Sequence, residues 1–81
     1  MQNKYFMKFV IYWLINEHYN KTYVGYSDNI IKRIKEHKTG KVKTTKDFGK
    51  FRCFVLEYAN NTEGARKKEK YWKQLSYVYL H

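Results

Sequence analysis

Apolar positions along the chain gather into a few blocks separated by polar stretches, and the residue types within each block assign it an element. Residues Tyr5 to Ile15 are rich in β-branched and aromatic types over a length that suits a central strand. The polar run Asn16 to Lys21, which contains Asn20, predicts a hairpin turn, and Thr22 to Tyr26 the returning strand. Gly25, near the end of that strand, marks a spot where something must approach the backbone closely.

Ser27, Asp28 and Asn29 then supply helix-capping oxygens, and no glycine follows until Gly40, so a helix is expected from Asn29 to Lys38. At about 100° per residue, Ile30, Ile31 and Ile34 make one apolar stripe, with Lys32 and Glu36 turned away from it. Arg33 and His37, four residues apart, flank the stripe and are expected to face a surface groove where helix meets sheet.

From Lys38 to Lys50 the chain is basic and weakly patterned, which predicts a mobile loop or a short irregular helix. Phe51 to Tyr58 is continuous enough in apolar residues to be a third, largely buried strand. Asn60, Asn61 and Thr62 offer caps for a second helix from Glu63 to Leu75, with Glu63 in the favourable first turn. On that helix Ala65, Glu69 and Trp72 share a face, an odd place for a solvated carboxylate, and Tyr77 to Leu80 is expected to pack back onto the core. The elements run strand, strand, helix, strand, helix: an α/β fold with a three-stranded antiparallel sheet flanked by helices. Residues 1–81 make a single domain, because a chain this short buries only about 60% of its unfolded surface and cannot support two cores.

Composition adds three constraints. Hydrophobic residues make up 43% of the chain and aromatic ones 20%, enough to build a core from rings and to exclude a disordered chain. Seventeen Lys and Arg against seven Asp and Glu give a net charge of +10, so polyanions are the expected partners, and nucleic acid is favoured over a membrane surface. Cys53 is the only cysteine, which rules out an intrachain disulfide and a cysteine-rich metal site and fits a reducing cytoplasm. The apolar run Phe9 to Ile15 follows Lys4 and Lys8 as a signal peptide would, but it lacks a small-residue cleavage site and is too short to span a bilayer.

The pattern Val10-Ile11-Tyr12, then Tyr23-Val24-Gly25, then Arg33 and His37 at one-turn spacing, then Ala65-Arg66-Lys67-Lys68-Glu69, resembles the GIY-YIG nuclease superfamily. It resembles in particular the small single-domain members related to the nuclease module of bacterial excision repair. The resemblance covers Phe9 to Lys73. It departs from the family pattern in carrying Val10 where the first half-motif has glycine, and a further family asparagine has no counterpart before His81. It implies a Mg²⁺-dependent DNA endonuclease, with Mn²⁺ as the alternative ion, acting in DNA repair or recombination on branched, nicked or unpaired DNA, with a protein partner to supply targeting.

Phosphodiester hydrolysis needs a deprotonated water, neutralisation of charge on the phosphate and help for the departing oxygen. By resemblance, Glu69 holds the metal and Tyr12 is the favoured general base beside Tyr23, although those two roles are interchangeable at this stage. The seven acids are dispersed along the chain, which suits one ion held by one carboxylate better than two. Arg33 offers a planar fork for the scissile phosphate, and is one of only three arginines against fourteen lysines. His37 could relay a proton, since imidazole titrates near neutrality. Lys41, Lys43 and Lys46 would follow the DNA backbone without reading sequence.

Each assignment has a plainer rival. Glu69 could simply pair with Lys73 at i, i+4 for a few tenths of a kcal/mol. Either tyrosine could be plain strand core, and His37 an ordinary helix residue. The whole domain could be a non-catalytic nucleic-acid-binding module that keeps the shape, or an accessory subunit of a larger complex.

Overall fold

A computed structural model describes residues 8–18 and 20–76, together with the backbone of the last helix through residue 80. Strand β1 (Phe9–Asn16) turns back into β2 (Thr22–Ser27), helix α1 (Ile30–Lys38) follows, then a short 3₁₀ turn (Lys43–Thr45), strand β3 (Phe51–Ala59) and helix α2 (Thr62–Leu80). The sheet order is β2-β1-β3 and both pairings are antiparallel. The expected α/β architecture is therefore the observed one, with β1 in the middle. The part of the first predicted strand before residue 8 lies outside the described residues.

Local chemistry explains the joints. The β1–β2 turn closes on buried Asn16, whose Oδ1 accepts from the backbone N–H of Asn20 and Lys21 while its amide donates to Asn20 Oδ1 at 2.7 Å. Asn29 caps α1 by accepting from Lys32 N–H, and Gly40, at φ +76°, ends it in the left-handed region open to glycine. Asn61 accepts from Gly64 N–H to start α2, which then runs past Leu75, the end expected for it. The side chains of Tyr77 to Leu80 lie outside the described residues.

Side chains alternate across the sheet, so it has a core on each face. Ile11 and Val24 point to one face, where they pack with Ala59 of β3 under Ala65 and Trp72 of α2. Tyr12, Leu14 and Tyr23 point to the other, against Ile30 and Ile34 of α1 and Phe48 and Phe51. Trp72 fastens α2 to the sheet by donating its indole N–H to Glu57 Oε2 at 2.6 Å.

Two expectations fail here for the same physical reason, which is incomplete cover. Ile31 is 70% exposed and not part of the buried stripe. The stripe of α1 is Ile30, Ile34 and His37, at i, i+4 and i+7, so the histidine takes the slot that the third isoleucine was expected to fill. Strand β3 is not largely buried either: Cys53, Phe54, Val55 and Tyr58 are exposed. It is an edge strand, and both helices lean mainly on β2, at the opposite edge.

Candidate active site

The residues that the sequence singles out divide into a cluster of four and one that stands apart. Tyr12 on central β1 lies directly opposite Gly25 on β2, and Tyr23 sits two residues before that glycine on the same face. A methyl group added to Gly25 would lie 2.7 Å from Tyr23 Cε1 and 2.8 Å from Tyr12 Oη. The close approach expected at Gly25 is therefore made by the two phenol rings, whose centroids are 6.1 Å apart. Without that glycine both rings could not sit over one patch of sheet.

Helix α1 adds the other two groups. His37 is 2% exposed, with its ring edge-on to Tyr12 and Tyr23 at 5.6 and 5.1 Å. Its Nε2 lies 2.8 Å from Tyr12 Oη and its Nδ1 lies 2.7 Å from Thr45 Oγ1. Arg33, one turn earlier, is partly exposed and donates Nη1 to Glu36 Oε1 at 3.0 Å, with its charge acting on the Tyr12 phenol. The picture of Arg33 and His37 side by side at a surface groove thus needs correcting. The arginine is at the rim and the histidine is inside, where both of its ring nitrogens find partners.

Electrostatics follow from that burial. Tyr12 is wholly buried, and loss of solvation, then the neighbouring Tyr23, push its phenol well above the ordinary tyrosine range despite the opposing pull of Arg33. His37 is pushed below its ordinary value by burial and by the Arg33 charge, with Glu36 pulling the other way. It is therefore neutral at pH 7. The Tyr12 hydroxyl, the His37 imidazole and the Thr45 hydroxyl thus form a buried hydrogen-bonded chain, with one ring nitrogen of the neutral imidazole donating and the other accepting. The cations are kept charged and the buried aromatic groups are kept neutral.

Thr45 was missed by sequence reasoning. It belongs to the 3₁₀ turn, is 2% exposed, and ties the basic segment to the buried imidazole. Together with buried Phe48 it anchors a stretch expected to be a mobile loop or an irregular helix. Lys41, Lys43 and Lys46 all lie exposed on this anchored stretch.

Glu69 is separate. It stands on α2, which covers the opposite face of the sheet, and its side chain is 22% exposed. Its described partner is Lys73 Nζ at 3.6 Å, the plainer pairing weighed from sequence. Among the described residues, no hydrogen bond or ion pair joins it to the tyrosine, arginine and histidine cluster. Helix α2 packs chiefly on β2, however, the strand that carries Tyr23.

No group of three or more His, Cys, Asp or Glu side chains converges among the described residues, so nothing there resembles an all-protein metal cage. A lone half-buried carboxylate is still a fitting donor for a hydrated Mg²⁺, which takes one or two carboxylates and fills its shell with waters and substrate phosphate. No described helix is long and apolar enough to cross a membrane.

No curated protein and no solved structure matches the chain. Residues 8–77, which contain the whole cluster and Glu69, match the GIY-YIG catalytic domain, and the chain belongs to the GIY-YIG family.

Proposed function

We propose that this domain is a Mg²⁺-dependent DNA endonuclease that hydrolyses phosphodiester bonds in DNA repair or recombination. Family membership supports the coarser part, since GIY-YIG domains are generally endonucleases and typically depend on a divalent metal. The observation that carries the finer reading is the convergence of Tyr12, Tyr23, Arg33 and His37 over Gly25, at the edge of a domain with a net charge of +10. A structural core has no use for a guanidinium held beside two phenols.

The burial pattern distributes the roles. Tyr12 has no solvent contact and holds its proton firmly, so the part of proton acceptor from water passes to the partly exposed Tyr23, which would act as the phenolate once its own proton has left to solvent. Tyr12 positions that phenol from behind and is itself fixed by neutral His37. Arg33, braced by Glu36, turns its remaining donors to the rim, where a phosphate can accept two at once. Glu69 would hold the metal ion, displacing Lys73. Bound there, Mg²⁺ would offset negative charge building on the phosphate. Lys41, Lys43 and Lys46 would hold the DNA backbone, with affinity that falls as salt rises. The single, exposed Cys53 suits the reducing cytoplasm.

Plasmid nicking tests the proposal. The protein should cut with Mg²⁺ or Mn²⁺ and not with chelator, and Glu69→Ala should stop cutting while changing DNA affinity by less than about threefold. Cutting that survives Glu69→Ala would refute the metal assignment. The separation of Glu69 from the cluster favours one alternative, a nucleic-acid-binding module that has lost catalysis; it predicts DNA binding with no metal response in any assay.

A further inference from the structure

A second hollow lies apart from the space over the tyrosines. It opens on the far side of His37, with a volume of about 620 Å³. Its walls come from the end of α1 (His37, Lys38), the 3₁₀ segment (Thr45, Lys46) and the approach to β3 (Gly49, Lys50, Phe51). The volume falls within the range of about 300–1,000 Å³ usual for pockets that take a small ligand. A double helix, at roughly 20 Å across, could lie over such a hollow but not enter it.

Three properties of the walls narrow the occupant. Lys38, Lys46 and Lys50 bring three positive charges to the mouth, and none of them is paired with an acid among the described residues. Surface cations left uncompensated around a concavity fit an anion. The half-buried ring of Phe51 supplies a flat apolar face, packed against the cluster of Tyr12, Leu14 and Phe48. Gly49 at φ +67° adds a backbone corner without a side chain, which leaves the space beside that ring open. Phosphate charge beside a flat apolar face describes a nucleotide. Its base must be unpaired, since a paired base cannot turn its face to a protein ring.

We propose that this cavity holds one unpaired nucleotide of the DNA strand, with its phosphate among Lys38, Lys46 and Lys50 and its base against Phe51. The inference rests on the nuclease reading for its substrate, and it deepens that reading by making a strand with an extrahelical or single-stranded nucleotide the preferred one. The shared wall residue His37 puts this nucleotide next to the tyrosine cluster, so the selected distortion and the candidate cleavage point lie on adjacent parts of one strand.

The test is binding in chelator, where no cutting can interfere. Affinity is measured by fluorescence anisotropy for a fully paired duplex and for the same duplex with one extra unpaired nucleotide. The wild-type protein should prefer the second by about tenfold, as stacking of one base on an aromatic ring allows. Phe51→Leu, which keeps an apolar wall and the core contact, should remove most of that preference. Lys50→Glu, on the exposed rim, should weaken both duplexes and the bulged one more. Lys41→Glu, a neighbouring lysine outside the cavity wall, should weaken both equally. Equal affinity of the wild-type protein for the two duplexes, or a preference unchanged by Phe51→Leu in a protein that melts normally, overturns the proposal. The nuclease reading fails separately: a protein that shows the preference but never cuts sinks that reading and keeps the cavity, and one that cuts without preference does the reverse.

Discussion

Gly25→Ala is the most direct probe of the candidate site, because it replaces a hydrogen with a methyl group in a place with no room for one. The new Cβ would meet Tyr23 Cε1 at 2.7 Å, Tyr12 Oη at 2.8 Å and Tyr12 Cζ at 2.9 Å. Carbon atoms normally rest about 3.5–4.0 Å apart, so each contact is short by most of an ångström. Tyr12 cannot yield easily: it is fully buried, tied to His37 at 2.8 Å and packed with Leu14 and Phe48. Tyr23, less buried, would be the ring that moves. Overpacking of this kind costs about 1–3 kcal/mol. In a domain of this size each kcal/mol lowers the melting temperature by about 4–8 °C, so a fall of roughly 5–20 °C is expected. Displacement of Tyr23 by about 1 Å should also reduce cutting by on the order of 100-fold at a temperature where the variant is still folded. Melting followed by circular dichroism and plasmid nicking at 20 °C read the two effects. A Gly25→Ala protein that melts within a degree of wild type and cuts at the wild-type rate would show that the phenols do not crowd this glycine.

Two further outcomes follow from the buried polar chain. Thr45→Val removes the hydroxyl partner of His37 Nδ1 inside the protein, at a cost of about 1–3 kcal/mol, whereas Thr45→Ser keeps it; thermal melts should rank serine above valine, and the reverse order would refute the bond. His37 is held neutral in the folded protein, below the ordinary value of 6.5 that applies to the unfolded chain, so unfolding takes up a proton on acidification. The contribution is fully present above about pH 6.5 and declines as pH falls below it; the urea midpoint should drop between pH 7.5 and 5.5 in wild type, and less in His37→Gln. An unchanged slope in that variant would assign the pH response to another group.

What could be read from the sequence was local, and what could not was determined by neighbours distant along the chain. The caps at Asn29 and Asn61, the stop at Gly40 and the special place of Gly25 rest on the chemistry of one or two residues, and each is found where it was expected. The reach of β1 to Asn16 and of α2 beyond Leu75 was underestimated, since neither end carries a sharp stop signal. Burial fared worse. Phe51 to Tyr58 reads as an interior strand, yet its exposure depends on where α1 and α2 lean, and that is decided at β2. Periodicity put three isoleucines on one stripe and could not tell that a histidine with partners at both ring nitrogens would outcompete Ile31 for the third position. Thr45 gave almost no signal, being one of two threonines in a lysine-rich run, and its role exists only through a bond to a residue on another element. Glu69 stood out because of its apolar neighbours Ala65 and Trp72, but spacing along a helix says nothing about which side of a sheet that helix will cover.

The central position of β1 has a consequence for how the domain assembles. Its partner on one side is joined to it by a tight turn, while its partner on the other returns only after α1 and the 3₁₀ segment have been laid down. Closing the short loop sacrifices less chain entropy than closing the long one. The two phenols facing Gly25 therefore belong to a unit that can register early, and Thr45 and Phe51 join it when the last strand zips on. A newly made chain would possess half of its pocket before the other half exists.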